Sequence, residues 1–146
     1  MIKIVPDANI ILSGFLSHDG YPRKLINLAL MKKVVMYGSE ETYKEFIEKI
    51  NMPKFQKYIQ RHIFTPEKLI IDYRTFVNMA EPSHKYNDLK VVKEDPDDDI
   101  YFKTAKGCGS KILVTGDKAV LRVKRYEDVR VVTVKLFVDS FLNIRK

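Results

Sequence analysis

Apolar positions in this chain keep two rhythms. Short continuous runs read as buried strands, and runs spaced three and four apart read as helices. Ile2-Lys3-Ile4-Val5 predicts a strand that ends at Pro6. Lys33 to Tyr37 predicts a second strand, closed by Gly38, and Leu89-Lys90-Val91-Val92 a short third. Lys111 to Thr115 predicts a fourth and Val129 to Val134 a fifth. Between them Tyr21-Pro22 opens a helix whose apolar face is Leu25, Ile26, Leu28, Ala29 and Leu30. Ser39 suits an N-cap, with Glu40 and Glu41 in the first turn of a helix running to about Ile50. Pro53 starts another helical stretch through Phe55, Tyr58 and Ile59. Thr65-Pro66-Glu67 starts one that carries on through Tyr73, Phe76 and Val77. Glu81 to Asp88 is polar and reads as a loop. Asp95-Pro96 begins a helix that reaches Lys106 and stops at Gly107, and Leu136, Phe137, Phe141 and Leu142 mark a closing helix.

Strands alternating with helices predict an α/β fold of three layers, a parallel sheet with helices on both faces. The extra helices between the second and third strands form an insertion on that scaffold. No linker or repeat divides the 146 residues, so residues 1–146 are expected to form a single domain. Apolar residues are 45% and charged residues 31%, which excludes a disordered or low-complexity chain. No apolar run approaches the ~20 residues of a membrane span. The opening apolar stretch is too short for a signal peptide, so a cytoplasmic protein is expected. The lone Cys108 excludes an internal disulfide and a multi-cysteine zinc site.

Charge narrows the field further. The net charge is +7, yet Glu94, Asp95, Asp97, Asp98 and Asp99 fall within six residues. Setting those five acids aside leaves +12 on the rest of the chain. A basic body with one acidic spot suits a polyanion binder that also holds a cation. A basic protein with an acidic loop has the same composition.

In open parallel sheets, ligands bind beyond the carboxyl ends of the strands. Asp7 follows the first strand and Asp117 the fourth. If those strands are neighbours the carboxylates converge, and a divalent cation removes their repulsion. Oxygen ligands of this kind favour Mg²⁺ or Mn²⁺ over zinc. Each residue also has a plainer role, Asp7 as a helix cap or Asx turn and Asp117 as the cap of a helix beginning at Lys118. Asp98 shares a helix face with Tyr101 and Ala105 and points inward, whereas Asp99 lies one turn from Lys103 as a solvated pair. Glu45, between Glu41 and Glu48, reads as surface. His18, His62 and His84 stand alone, and no glycine-rich phosphate loop is present.

Taken together, four segments resemble the motifs of PIN-domain ribonucleases. They are Ile4 to Asn9, Ser39 to Glu45, Asp95 to Asp99 with Ala105, and Leu113 to Asp117 with Leu121. The likeness is nearest to the branch described as toxins of toxin–antitoxin pairs, related to VapC. The resemblance implies a PIN-like sheet in the order 3-2-1-4-5. It implies a catalytic and metal-binding cluster of Asp7, Glu45, Asp98 and Asp117, with Asp95 and Asp99 as alternates for Asp98. Asn9 would orient Asp7, and Ser39 and Thr115 would support the site. The implied activity is endoribonuclease cleavage of RNA with Mg²⁺ or Mn²⁺, by a homodimer restrained by a small antitoxin. Other readings are an RNA-maturation nuclease without an antitoxin and an inactive RNA-binding module. A phosphoacceptor domain fits less well, because the first strand offers only Asp7.

Cations outside the acidic spot would hold flanking phosphates. Candidates are Arg23, Lys24, Arg122 and Lys124, then Lys54, Lys57, Arg61 and Arg125, each of which has a solvated charge as its alternative. Tyr86 and Tyr101 are candidates for base stacking, with core packing the alternative for Tyr101.

Overall fold

The computed structural model describes residues 1–81, 84–86, 89–93 and 95–144. At its centre lies Ile2–Pro6 (β1), followed by Ala8–Leu16 (α1), Tyr21–Leu30 (α2) and Val34–Gly38 (β2). Three helices follow, Glu40–Ile50 (α3), Pro53–Arg61 (α4) and Pro66–Phe76 (α5), and then Val77–Met79 (β3). After 3₁₀ turns at His84–Tyr86 and Pro96–Asp98 come Asp99–Cys108 (α6), Ile112–Val114 (β4) and Lys118–Val123 (α7). The chain closes with Arg125–Tyr126 (β5), Val129–Val132 (β6) and Val134–Ile144 (α8).

The sheet has the order β3-β2-β1-β4-β6-β5, parallel except for the β5–β6 pair. This is the expected 3-2-1-4-5 order with a two-residue strand added at one edge. Side chains alternate across the pleat. Ile4 and Val114 face one core, with α1, α2, α3, α5 and α8. Val5 and Leu113 face the other, with α6 and α7. Phe46 anchors the larger core, its ring 4.7 Å from Tyr73 and 6.4 Å edge-on to Phe15. Each such buried ring contributes roughly 1.5–3 kcal/mol.

Several expectations are corrected. The third strand is Val77–Met79, not Leu89–Val92. Val77 lies three and four residues beyond Arg74 and Tyr73, so its burial mimics a helical rhythm, but its backbone pairs with Met36. Residues 89–92 carry no regular structure, and the N–H groups of Val91 and Val92 donate to Asp99 Oδ1 at 3.0 and 2.7 Å. Asp99 is therefore buried and pins a loop, where a solvated pair with Lys103 was expected. The sixth helix passes Gly107 and ends at Gly109, whose φ of 76° is the left-handed conformation of a helix stop. The fifth expected strand stops at Val132 because the hydroxyl oxygen of Thr133 accepts the Leu136 N–H at 3.1 Å, which starts α8. The Glu81–Asp88 loop lies partly outside the described residues, as does Glu94 of the acidic run.

Candidate active site

Pro6 pairs with Val114, so the residues after β1 and β4 emerge at one edge of the sheet. Asp7 is there, 6% exposed, and caps α1 by accepting the Ile10 N–H at 2.9 Å on Oδ1. Its Oδ2 accepts from the Thr115 hydroxyl and from the Gly116 N–H at 3.4 Å. Thr115 in turn accepts the Asp117 N–H at 3.0 Å. Asp117 caps α7 through Oδ1, to Ala119 and Val120 at 2.8 and 3.3 Å. Capping and convergence are thus properties of the same two residues. Capping consumes one oxygen of Asp117 and fixes the carboxylate beside Asp7's strand end.

Two helices supply the other acids. Glu45 on α3 is half-buried, unlike the surface residue its helix pattern suggests. Its Oε2 accepts the Tyr101 hydroxyl proton at 2.7 Å, and its Oε1 lies 3.6 Å from Lys49 Nζ. The Tyr101 hydroxyl oxygen accepts the Ala8 N–H at 3.2 Å, tying Glu45 to the first turn of α1. Asp98 precedes α6, and its Oδ2 is buried with no hydrogen-bond partner among the described residues. Asp7, Asn9, Glu45, Lys49, Asp98, Tyr101, Thr115 and Asp117 all line one cleft of about 20 Å³. That is room for a single water-sized or ion-sized occupant.

The electrostatics are those of crowded anions. Burial first, and then the charges of Asp95, Asp117 and Glu45, push Asp98 up to about 7. Burial also raises Asp7, opposed by the Thr115 hydroxyl, the Ile10 and Gly116 N–H groups and the charge of Lys49. Burial raises Tyr101 far above the ordinary phenol range, with Glu45 adding to it, so Tyr101 acts as a neutral donor. Among the described residues no three acid, imidazole or thiol side chains already stand at ligand spacing about one point. The donor set nevertheless fits a hard divalent cation. It is all oxygen, it lines an ion-sized space, and Asp98 Oδ2 is buried without a hydrogen-bond partner among the described residues.

Asn9 lines the cleft, but among the described residues it makes none of the bonds that orient Asp7. Ser39 caps α3 and accepts the Thr104 hydroxyl at 2.8 Å, outside the cleft. Asp95 caps the Pro96–Asp98 turn and lines a wider groove beside α3. Asp99 holds the 89–92 loop and does not line the cleft. Arg23 reaches the Gly14 carbonyl at 3.4 Å, and Lys24 lies 4.6 Å from the Tyr21 ring centroid. Arg122 and Lys124 sit at the end of α7, and none of these four cations lines the cleft. Tyr101 is 3% exposed, which excludes base stacking. Lys49 and the bridging role of Tyr101 were missed. Only the four-residue spacing from Glu45 to Lys49 hints at the first, and nothing in the sequence joins Tyr101 to Glu45.

This sheet order, with acids beyond the carboxyl ends of its central strands, is that of a doubly wound α/β domain. Residues 3–119 match the family model described as PIN domain, so the chain belongs to the PIN-domain family. PIN domains are generally nucleases that act on RNA and use divalent metals. A similar sequence is the uncharacterized protein MJ1680 of Methanocaldococcus jannaschii, 27% identical over 150 residues, covering 96% of this chain and 92% of that protein. A similar fold is the crystal structure of PAE2754 from Pyrobaculum aerophilum. Its TM-score is 0.56 at 16% identity, over 97% of this chain and 98% of that one.

Proposed function

We propose that the protein is a metal-dependent endoribonuclease whose acids are Asp7, Glu45, Asp98 and Asp117. The observation that supports this reading is that these four carboxylates, from four separate segments, line one ion-sized cleft, and that Asp98 Oδ2 is buried without a hydrogen-bond partner among the described residues. Mg²⁺ or Mn²⁺ is the cofactor this oxygen set suits. When bound, such an ion supplies Lewis-acid polarisation of the phosphodiester and offsets the charge that builds in the transition state.

The chain's own groups prepare that chemistry. Thr115, Gly116 and Ile10 fix the rotation of the Asp7 carboxylate. Tyr101 fixes Glu45 by donating a proton it does not give up. Asp98 would give up its proton to hold a cation, whose charge would offset the repulsion from Asp95, Asp117 and Glu45. Lys49 lines the same cleft, 3.6 Å from Glu45 Oε1, and offsets part of the acidic charge.

The test is cleavage of RNA by the purified protein with Mn²⁺ or Mg²⁺. Activity that disappears on chelation and in Asp7→Asn is expected; undiminished cleavage by Asp7→Asn discards the reading. The finer part of the proposal is a toxin restrained by a small antitoxin and acting as a homodimer in the cytoplasm. It rests on the motif resemblance and on family membership. Among the described residues no helix is long and apolar enough to cross a membrane. Induced expression should slow growth in a way that Asp7→Asn abolishes. Normal growth with active enzyme points to RNA maturation.

A further inference from the structure

A cation of the chain's own already lines the cleft to which the ribonuclease reading assigns a metal. Among the described residues Lys49 is the one basic side chain there, set against the carboxylates of Asp7, Glu45, Asp98 and Asp117. Its side chain is 23% exposed, so the ammonium is held largely inside the protein. It is held loosely. Nζ lies 3.6 Å from Glu45 Oε1, within ion-pair range but too far for a hydrogen bond. Lys68 on α5, also four residues from its acid, is locked at 2.7 Å to Asp72. The charge of Lys49 reaches past Glu45. Burial raises the Asp7 carboxyl, and Lys49 is among the groups that pull it back.

This ammonium competes with a metal for space and for charge. The cleft, about 20 Å³, has room for one ion-sized occupant. A lysine head and a divalent cation seek the same oxygens and repel each other at that range. Lys49 also has somewhere to go. It lines the neighbouring groove of about 570 Å³, whose walls include Glu41, Glu48, Asp95 and Asp97, none of which lines the cleft. The flexible four-carbon stem of a lysine lets its head exchange one set of carboxylates for the other.

We propose that Lys49 is the cleft's built-in counter-cation, whose ammonium balances the four carboxylates until a divalent cation displaces it toward the groove. The proposal rests on the metal-binding part of the ribonuclease reading and adds what the metal has to displace. Lys49 thereby sets how much free ion the site needs.

The experiment is calorimetric titration of Mn²⁺ into the chelator-stripped protein, paired with thermal unfolding in EDTA and in saturating Mn²⁺. Lys49→Met keeps the apolar stem and removes the charge. It should bind Mn²⁺ about tenfold more tightly than the wild type, because one repelling charge beside the ion is gone. In EDTA it should melt below the wild type, its acids unbalanced, and in saturating Mn²⁺ that deficit should close. Lys44 lines the groove but not the cleft. Lys44→Met removes the same charge there and should change the affinity less than about twofold, since solvent and salt screen it. Equal or weaker Mn²⁺ binding by Lys49→Met overturns the proposal, because Lys49 would then be holding Glu45 in place for the metal. An equal gain in Lys44→Met overturns it in favour of the general field of the helix. A melting deficit that persists in saturating Mn²⁺ overturns it in favour of a structural ion pair. The two readings fail separately. Asp7-dependent cleavage with no gain in Lys49→Met removes the counter-cation alone. The expected gain with no RNA cleavage by the wild type keeps the counter-cation and removes the ribonuclease. A wild type that binds no Mn²⁺ removes both.

Discussion

Asp98 carries the strain of the site in one side chain. Its carboxyl is raised to about 7, so the folded protein favours the protonated acid while the unfolded chain ionises near the ordinary value of 3.8. A raised acid stabilises the fold fully only below about pH 4 and loses that contribution as pH climbs through 7. Asp98→Asn should therefore match the wild type near pH 4 and exceed it at pH 8. The gain should be about 1–2 kcal/mol once the shift is discounted for solvent screening. Urea unfolding at the two pH values checks this, and an equal gap at both contradicts it. Tyr101 is the second residue with a separable role. Tyr101→Phe keeps the ring but leaves the Ala8 N–H and Glu45 Oε2 without their partner, at a cost of about 1–2 kcal/mol. If Tyr101 positions Glu45, cleavage at saturating RNA should fall more than tenfold while strand binding in EDTA is unaltered. Parallel losses in both would mean a general defect in folding.

Helix packing sets where these residues stand. α1 lies so close to α2 that a Cβ at Gly14 would collide with the Ile26 side chain and, at 2.8 Å, with the Pro22 carbonyl. Gly14→Ala should thus push the helices apart and lower stability by about 1–3 kcal/mol, read as a fall in the urea midpoint. Asp99→Ala should cost about 2 kcal/mol by freeing the Val91 and Val92 N–H groups, with increased proteolysis within 89–92. These two elements also mark what the sequence does not reveal. α1 is buried on most sides, so its apolar residues show no helical stripe, and the pattern gives no sign of it. β3 is three residues long and continues the rhythm of α5, while 89–92 imitates a strand because its apolar side chains fill the smaller core. By contrast β1, β2 and β4 were legible because central parallel strands are continuous apolar runs with sharp ends. Asp7 and Asp117 were legible for the same reason, since strand ends in such a sheet have known positions. Glu45 was not, because its helix offers three acids on one face and only the contact with Tyr101 selects among them.

On the scale of the molecule, charge is segregated. A chain of net charge +7 brings four carboxylates to one cleft at the carboxyl edge of the sheet, while on the neighbouring α4 Lys54, Lys57 and Arg61 have no ion-pair partner among the described residues. Under the ribonuclease reading a small cation would be held at the inner cleft, and its binding should weaken as salt rises. The account rests on the inner half of that arrangement. Its most direct test is calorimetric titration of Mn²⁺ into the chelator-stripped protein at pH 7, in two buffers of different ionisation enthalpy. Saturable binding is expected, with release of a fraction of a proton as Asp98 ionises, and Asp98→Asn should lose both the proton and most of the affinity. Heat no greater than dilution, or equal affinity in Asp98→Asn without proton release, would contradict the account.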